Sequence, residues 1–158
     1  QRVRSMALVH ERLYRTADLT QVDFADYVEC LADSLFGANR TDGDRIRMVI
    51  ESQGVKLPIN TAVPCGLLVN ELMSNCLKHA FPANEEGTIT VSLETVDDQE
   101  IVLSVRDDGI GLPAHVEPET SPTFGMQIIM ALVEQLHGSL TVWRAEGTEF
   151  RIRFPSAV

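Results

Sequence analysis

The stretch VPCGLLVNELMSNCLKHAF, residues 63–81, is the part of the chain from which fold and function are best interpreted. At about 100° per residue on a helical wheel, Glu71, Asn75 and Lys78 gather on one polar side, together with Ser74. An asparagine in mid-helix has a helix-propensity cost of roughly 0.5 kcal/mol, so we infer that the carbonyl oxygen of Asn75 has a use. Such an oxygen is a natural ligand for a hard cation. The other side is one broad apolar arc, made of Cys65, Leu68, Val69, Leu72, Met73, Cys76 and Ala80.

A plainer interpretation of the same helix is a solvated face. Glu71, Asn75 and Lys78 would then be exchangeable surface residues, with an ionic contact between Glu71 and Lys78. The helix alone does not distinguish the two interpretations. The glycine-rich stretches downstream favour the first.

Length and composition restrict the class of protein. The chain has 158 residues, 44% of them hydrophobic, which is enough for one full core, and we expect one domain with a short appendage. A net charge of −10 without a basic stripe argues against nucleic-acid binding. The sequence shows no apolar run of about 18 residues and no signal peptide, so we expect no membrane contact by this part of the protein.

The cysteines indicate a reducing compartment. Cys30, Cys65 and Cys76 are odd in number and lack CxxC spacing, and two of them lie on the apolar arc of the central helix. We therefore expect reduced packing cysteines and a cytoplasmic location, which leaves open a membrane anchor in a longer parent protein.

The first 37 residues are predicted to form two helices. Residues 1–15 have an apolar stripe that includes His10, which we interpret as a core or interface histidine, and no capping residue precedes them, so we expect this helix to begin further upstream. The second helix has Asp23 as N-cap and ends at Gly37. We divide the chain into a helical segment, residues 1–37, and a second domain, residues 38–158. The second helix buries Phe24, Tyr27, Val28, Leu31 and Leu35.

Alternating hydrophobicity after Arg45 predicts strands. Ile46, Met48 and Ile50 point inward in the first of them. Thr61 is a candidate N-cap for the central helix, which is expected to hold Pro64 in its first turn and to end near Phe81. Two hairpins are predicted downstream, pairing Thr88–Leu93 with Ile101–Val105 and Leu140–Trp143 with Thr148–Phe154.

The stretch RDDGIGLP, residues 106–113, follows the second strand of the first hairpin directly. Gly109 and Gly111 would let the backbone approach a flat ligand, and the carboxylate of Asp107 can accept a hydrogen bond from an exocyclic amine. Asp and Gly are also common in tight turns, which is the alternative interpretation of this stretch alone.

The stretch SPTFGMQIIMALVEQLHG, residues 121–138, predicts a helix with Ser121 or Thr123 near its start and Gly138 as C-cap. Gly125 near the helix start would leave backbone N–H groups accessible to a phosphate chain. The alternative is an ordinary helix start.

In this order the patterns resemble the ATP-binding domain shared by histidine kinases, type II topoisomerases, Hsp90 chaperones and MutL, the GHKL superfamily. Residues 71–82 are similar to the N box of sensor histidine kinases, residues 107–113 to their G1 box, residues 121–138 to their G2 region and EGTEF, residues 146–150, to their G3 motif. Residues 5–36 resemble the segment before the catalytic domain in kinases of the second HisKA type, close relatives of the HWE kinases.

The resemblance implies a role for each matched residue. Glu71 would polarise the phosphoryl acceptor, Asn75 would bind Mg²⁺, Lys78 would contact phosphate, and Asp107 would recognise adenine with Thr148 near the base. Further nucleotide-binding positions would be His79, Gly109, Gly111, Leu112, Gly125 and Met126.

The fold expectation has two sources. Strands that alternate leave one face for helices and one for water, which predicts an α/β (α+β) two-layer sandwich with a mixed, mainly antiparallel sheet of about five strands. The resemblance implies the same architecture, the Bergerat ATP-binding fold.

The function implied by the resemblance is the catalytic domain of a two-component sensor histidine kinase. With ATP and Mg²⁺ it would transfer the γ-phosphoryl group to a histidine, for relay to a response-regulator receiver domain, in a protein that dimerises through its dimerisation helices. No HRVKNN-like acceptor motif is present and His10 belongs to the phrase LVHERLY, so we expect the acceptor upstream. A G2 region with one glycine, close after Leu112, implies a short nucleotide lid.

Two other functions stay open. One is a GHKL serine kinase or ATPase, against which the segment before Arg45 argues. The other is a docking module with a degenerate nucleotide site, which the filled polar positions oppose.

Overall fold

A computed structural model describes residues 21–37, 45–52, 54–82, 85–111, 123–144 and 146–156. The predicted helix over residues 1–15, with His10, and the candidate site residue Leu112 lie outside these ranges.

The described residues form helices and strands in the order that the sequence predicts, with two short strands added. The helices are α1 (Phe24–Gly37), α2 (Ile59–Asn75), which continues as a π-helical turn (Cys76–Ala80), and α3 (Phe124–Gln135). The strands are β1 (Val22–Asp23), β2 (Ile46–Glu51), β3 (Lys56–Leu57), β4 (Gly87–Val96), β5 (Glu100–Asp107), β6 (Ser139–Trp143) and β7 (Thr148–Pro155).

The main sheet has five strands in the order β2-β4-β5-β7-β6. The pair β2 and β4 is parallel and the other pairs are antiparallel. One face carries the buried core, where strand residues such as Leu103 and Ile152 pack with α2 and α3. The other face presents exposed polar residues, including Arg106, Arg151 and Arg153. The predicted fold class is confirmed, and β5 lies at the centre of the sheet.

Helix α1 is tied to the rest of the fold by the small sheet that the sequence pattern did not predict. Strand β1 pairs with β3, and the Phe24 N–H donates to the Val55 carbonyl at 3.3 Å. The Asp23 carboxylate accepts from the Asp26 N–H at 3.2 Å, which confirms Asp23 as the N-cap. The buried α1 residues belong to the same hydrophobic core as the main sheet. The division of the chain after residue 37 stays a prediction.

Helix α2 begins earlier than predicted. Its N-cap is Pro58, whose carbonyl accepts from the N–H groups of Thr61 and Ala62 at 3.0 and 2.8 Å. Thr61 as N-cap is therefore wrong, since it lies buried inside the helix, and Pro64 lies beyond the first turn. The physical reason is that Pro58 already holds the extended geometry that precedes a helix, with φ −58° and ψ 151°.

The apolar arc predicted for α2 is buried throughout, and the helix ends at Phe81 as expected. The last five residues, Cys76–Ala80, are wound as a π-helical turn, which the sequence does not indicate. Such wider turns are often found at functional sites.

The end of α3 corrects one prediction. His137, not Gly138, adopts the left-handed conformation, with φ 56°. The His137 N–H donates to the backbone carbonyl of Glu134, and the Gly138 N–H donates to that of Val133, both at 3.0 Å. This pair of bonds is a Schellman motif. Glycine is needed at 138 for another reason: a Cβ there would lie 2.8 Å from the carbonyl oxygen of Arg153 on β7.

The two predicted hairpins are confirmed. Asp97 and Asp98 lie in the three-residue connection of the first, between the paired residues Val96 and Glu100, and both have positive φ (56° and 58°). Glu146 and Gly147 turn the second, between β6 and β7. None of the helices among the described residues combines the length and the apolar composition that a membrane crossing requires.

Candidate functional site

Asp107 is the last residue of the central strand β5, and it is only 4% exposed. Its Oδ1 accepts a hydrogen bond from the Gly109 N–H at 3.0 Å, and its Oδ2 accepts one from the Cys76 thiol at 3.4 Å. A buried carboxyl group with one neutral donor on each oxygen still has lone pairs that can accept a further hydrogen bond. Such a group can recognise a donor on a ligand.

The loop after Asp107 lies directly on the π-helical turn. The Ile110 N–H donates to the carbonyl oxygen of Ala80 at 3.0 Å. A Cβ on Gly109 would overlap that same carbonyl, so only glycine permits the approach. The loop and the end of α2 are therefore built as one unit.

The β6–β7 turn covers the other side of the loop. Thr148 is buried and pairs with Asp107 in the register of β5 and β7. Gly147 has φ 98°, and a Cβ there would overlap the carbonyl of Asp107. Gly111, with φ 81°, faces the Gly147 carbonyl, because a Cβ on it would lie 3.2 Å from that oxygen. The G1 and G3 stretches of the sequence thus meet at one point.

The polar side of α2 is not a uniform solvated face. Glu71 is 1% exposed, Asn75 is partly exposed, and Lys78 and His79, which lie in the π-helical turn, are exposed. The solvated-face interpretation is therefore wrong for Glu71. From Glu71 to His79, over two helical turns, these polar side chains change from buried to exposed, and the exposed end lies beside the loop at Gly109.

The start of α3 is capped as predicted. The Thr123 hydroxyl accepts from the Met126 N–H at 3.4 Å, and Gly125 and Met126 are buried. Helix α3 packs against α2, so the G2 stretch lies beside the helix that carries Asn75. The Met126 N–H is engaged by the cap in this arrangement.

For Cys76 the sequence pattern predicted only a packing role. It is buried as expected, but its thiol also donates to Asp107. Burial raises the pKa of this thiol well above its ordinary value of 9.0, and the neighbouring Asp107 raises it further, so the sulfur keeps its proton at neutral pH. Its position directly after Asn75 was the available signal.

Among the residues that the structure describes, no three His, Cys, Asp or Glu side chains converge on one point. Mg²⁺ prefers hard oxygen ligands and keeps several water molecules when it binds beside nucleotide phosphates. The single amide oxygen of Asn75 fits that kind of ion.

Comparison with known proteins places this geometry in a family. Residues 60–158 match the family described as "Histidine kinase-, DNA gyrase B-, and HSP90-like ATPase", and residues 1–39 match a family described as "Histidine kinase". The chain belongs to this ATPase family. The match covers α2, the loop after Asp107, α3 and the last hairpin, so the site lies within the ATPase domain.

Two curated relatives of the ATPase domain are sensor kinases. The chain is 32% identical over 158 residues to the sensor histidine kinase PdtaS of Mycobacterium tuberculosis (strain CDC 1551 / Oshkosh), covering 98% of this chain and 31% of that protein. It is 31% identical over 119 residues to blue-light-activated histidine kinase 2 of Erythrobacter litoralis, covering 74% of this chain and 34% of that protein. The chain thus spans about a third of the length of these relatives.

Solved structures agree with this assignment. The histidine kinase domain of an Erythrobacter litoralis blue-light activated histidine kinase superimposes with a TM-score of 0.82 at 28% identity, covering 99% of this chain and 73% of that one. The catalytic domain of histidine kinase ThkA, at 17% identity and a TM-score of 0.69 over 88% of this chain and 96% of that one, shows the shared fold. The resemblance to histidine kinase ATPase domains is confirmed.

Proposed function

We propose that the chain binds Mg²⁺-ATP and is the catalytic region of a cytoplasmic sensor histidine kinase, which transfers the γ-phosphoryl group to a histidine of its dimerisation region. The product would be relayed to a response-regulator receiver domain. The observation that supports this most is that the N-box, G1 and G3 stretches meet at the end of β5. Hydrogen bonds join Cys76 to Asp107 and Ala80 to Ile110, and Asp107 is paired with Thr148 in the sheet.

Asp107 is the proposed adenine-binding residue. Adenine offers a 6-amino donor to a carboxylate, whereas guanine offers a carbonyl at the same position. Gly109 and Gly111 let the loop beside Asp107 pack closely against the Ala80 and Gly147 carbonyls, and Thr148 lies next to Asp107 in the sheet register. Leu112, the next residue in the sequence after Gly111, is a further proposed contact.

Asn75, Lys78 and His79 are proposed to bind the phosphates. Lys78 and His79 are exposed and so are accessible to a triphosphate, and Gly125 and Met126 lie at the N-terminal end of α3, where the helix dipole favours anions. Asn75 would hold Mg²⁺, which supplies neutralisation of charge on the phosphoryl group. Phosphoryl transfer asks the protein mainly for such positioning and charge stabilisation.

Glu71 is proposed as the residue that polarises the acceptor imidazole. It lies one helical turn before Asn75, and a glutamate that is 1% exposed is rarely kept in a core without a purpose. Its carboxylate can accept a proton or orient a histidine, which an amide cannot do as well.

The match of residues 1–39 to a histidine kinase family supports this function over a GHKL serine kinase or ATPase. A homodimer in the full protein, formed through dimerisation helices, belongs to the same proposal. The buried carboxylate of Asp107, held by two donors, argues against a docking module with a degenerate nucleotide site.

Separating binding from transfer tests the proposed roles. We expect Asn75→Ala to weaken Mg²⁺-ATP binding by about tenfold or more and to abolish phosphorylation together, because a metal ligand is lost. Glu71→Gln should keep ATP affinity within about threefold and lose transfer by about 100-fold or more. Calorimetry gives the affinities. Acid-labile phosphate on a protein that includes the acceptor histidine gives the transfer.

Asn60→Ala, at an exposed position of the same helix, and Glu134→Gln, at an exposed position of α3, are the matched controls. If Glu71→Gln loses ATP binding as fully as Asn75→Ala, the division of roles is wrong. Rapid labelling of His10 within residues 1–158 would contradict an acceptor outside them.

A further inference from the structure

We propose that Cys76 is a positioning residue for purine selection: its thiol holds the Asp107 carboxylate in the one orientation that accepts a 6-amino group. This inference rests on the proposed function, since it assigns the specificity of the same site. The bond from Sγ of Cys76 to Oδ2 of Asp107 is 3.4 Å long and joins two buried side chains across 31 residues of sequence.

The carboxylate of an aspartate otherwise turns easily about its last side-chain bond, because that torsion has only a broad, roughly two-fold preference. In this protein each oxygen has its own donor: the Gly109 N–H for Oδ1 and the Cys76 thiol for Oδ2. Two donors from different directions fix the plane of the group. The remaining lone pairs then point in set directions.

The π-helical turn determines this arrangement. Its first residue, Cys76, bonds the carboxylate, and its last residue, Ala80, accepts from the Ile110 N–H and packs on Gly109. The same turn therefore contacts both the carboxylate and the loop that follows it. The side chain at 76 is the only part of that turn, among the described contacts, that reaches the carboxylate itself.

A thiol is a weak donor compared with a hydroxyl or a charged group. It can restrain the carboxylate without using much of its acceptor strength, which stays available to the ligand. A fixed carboxylate also discriminates better, because it cannot rotate away from the carbonyl of a 6-oxo purine. Loss of the thiol should therefore affect the contrast between purines more than the binding of phosphates.

The competing account is that Cys76 only fills space in the core, to which it also belongs. Cys65 provides the matched control: it is a fully buried core cysteine on the same helix, whereas the hydrogen bonds described for the Asp107 carboxylate come from Cys76 and Gly109. A packing role predicts that substitutions at either cysteine change stability and leave base selection alone.

The experiment uses the whole chain and four proteins: wild type, Cys76→Ala, Cys76→Ser and Cys65→Ala. Calorimetry gives the dissociation constants of ATP and of purine riboside triphosphate, which lacks the 6-amino group, and thermal unfolding is followed in parallel. For Cys76→Ala we expect ATP affinity to fall by about 3- to 10-fold, as for one lost hydrogen bond, with little change for the analogue. Cys76→Ser should restore most of the contrast, and Cys65→Ala should keep the wild-type contrast.

An unchanged ratio of ATP to analogue affinity in Cys76→Ala would overturn the inference, as would an equal loss of the ratio in Cys65→Ala. If wild type binds no ATP, the proposed function fails instead. If Cys76→Ala does not fold, the S–H stretching band of Cys76 in the infrared spectrum decides: it should shift when Asp107→Asn is introduced, and a band that does not move would contradict the bond.

Discussion

At the scale of single residues, the site depends on a few backbone and side-chain contacts that only particular residues can make. Gly109 and Gly147 let the Ala80 and Asp107 carbonyls come close, and no side chain fits in either place. Asp107 is then held inside this tight arrangement by hydrogen bonds to both of its carboxylate oxygens. The selectivity of the site should therefore depend on this one carboxylate.

Asp107→Asn should weaken ATP binding and reduce the discrimination against GTP. The amide has one acceptor where the carboxylate has two, so the adenine 6-amino group loses a charged acceptor in a buried place, at a cost of about 2 kcal/mol or roughly 30-fold. Competition titrations with ATP and GTP measure both effects. Asp108→Asn is the control, because Asp108 is exposed and accepts from the Thr88 N–H instead. Wild-type ATP affinity and selectivity in Asp107→Asn would show the assignment to be wrong.

At the scale of helices and strands, the start of α3 has a specific cap. Thr123→Ala removes the acceptor for the Met126 N–H and should cost about 1 kcal/mol of folding free energy, which corresponds to a Tm lower by about 2 to 4 °C. Thr123→Ser keeps the hydroxyl and should restore most of the loss. Scanning calorimetry of the three proteins measures it. Equal melting temperatures for alanine and wild type would show that the cap does not stabilise the helix.

The sequence predicted most helices and strands because the period of hydrophobic residues is a local property. Alternation predicted β2, β4, β5 and β7, and the 3.6-residue period predicted the helices. It missed what depends on tertiary contact. Pro58 starts α2 directly after β3, which pairs with β1, and the sequence near Thr61 contains no sign of that pairing. The bond from Cys76 to Asp107 starts from the π-helical turn, and apolar periodicity does not distinguish that turn from α-helix.

The site residues divide in the same way. Asp107, Gly109, Gly111 and Thr148 were predicted from motifs, and the structure brings them together at the end of β5. The burial of Glu71 was not predicted, because a helical wheel shows direction but not what packs against that direction.

At the scale of the whole molecule, one core joins α1, α2 and the sheet, and the groups it buries that ionise at high pH include Cys65 and Tyr27. Burial raises the pKa of Cys65 from 9.0 to about 12, and burial together with the nearby Cys65 raises the pKa of Tyr27 above its usual 10.0. Both groups are neutral in the folded protein. Their contribution to stability is therefore complete below about pH 9 and is lost as the pH rises from 9 towards 12.

The free energy of unfolding should thus fall between pH 9 and 11, with each such group contributing about 1.4 kcal/mol per pH unit above its unfolded pKa. Cys65→Ala should be less stable at pH 7.5, because it leaves a small cavity, yet should show a shallower decline above pH 9. Urea titrations at several pH values measure both. Cys30→Ala, at a partly exposed position, is the control. Parallel declines for wild type and Cys65→Ala would contradict the assignment.

The central claim is that the end of β5, the end of α2, the start of α3 and the β6–β7 turn form one Mg²⁺-ATP site. Titrating the ¹⁵N-labelled chain with ATP and Mg²⁺ and following every backbone amide by NMR tests it most directly. We expect one saturable binding transition whose affinity is lower without Mg²⁺. The largest chemical-shift changes should occur in Asn75–Ala80, Asp107–Gly111, Gly125–Met126 and Gly147–Thr148. No saturable shifts, or shifts centred on the exposed face of the sheet around Ser139–Trp143, would contradict it.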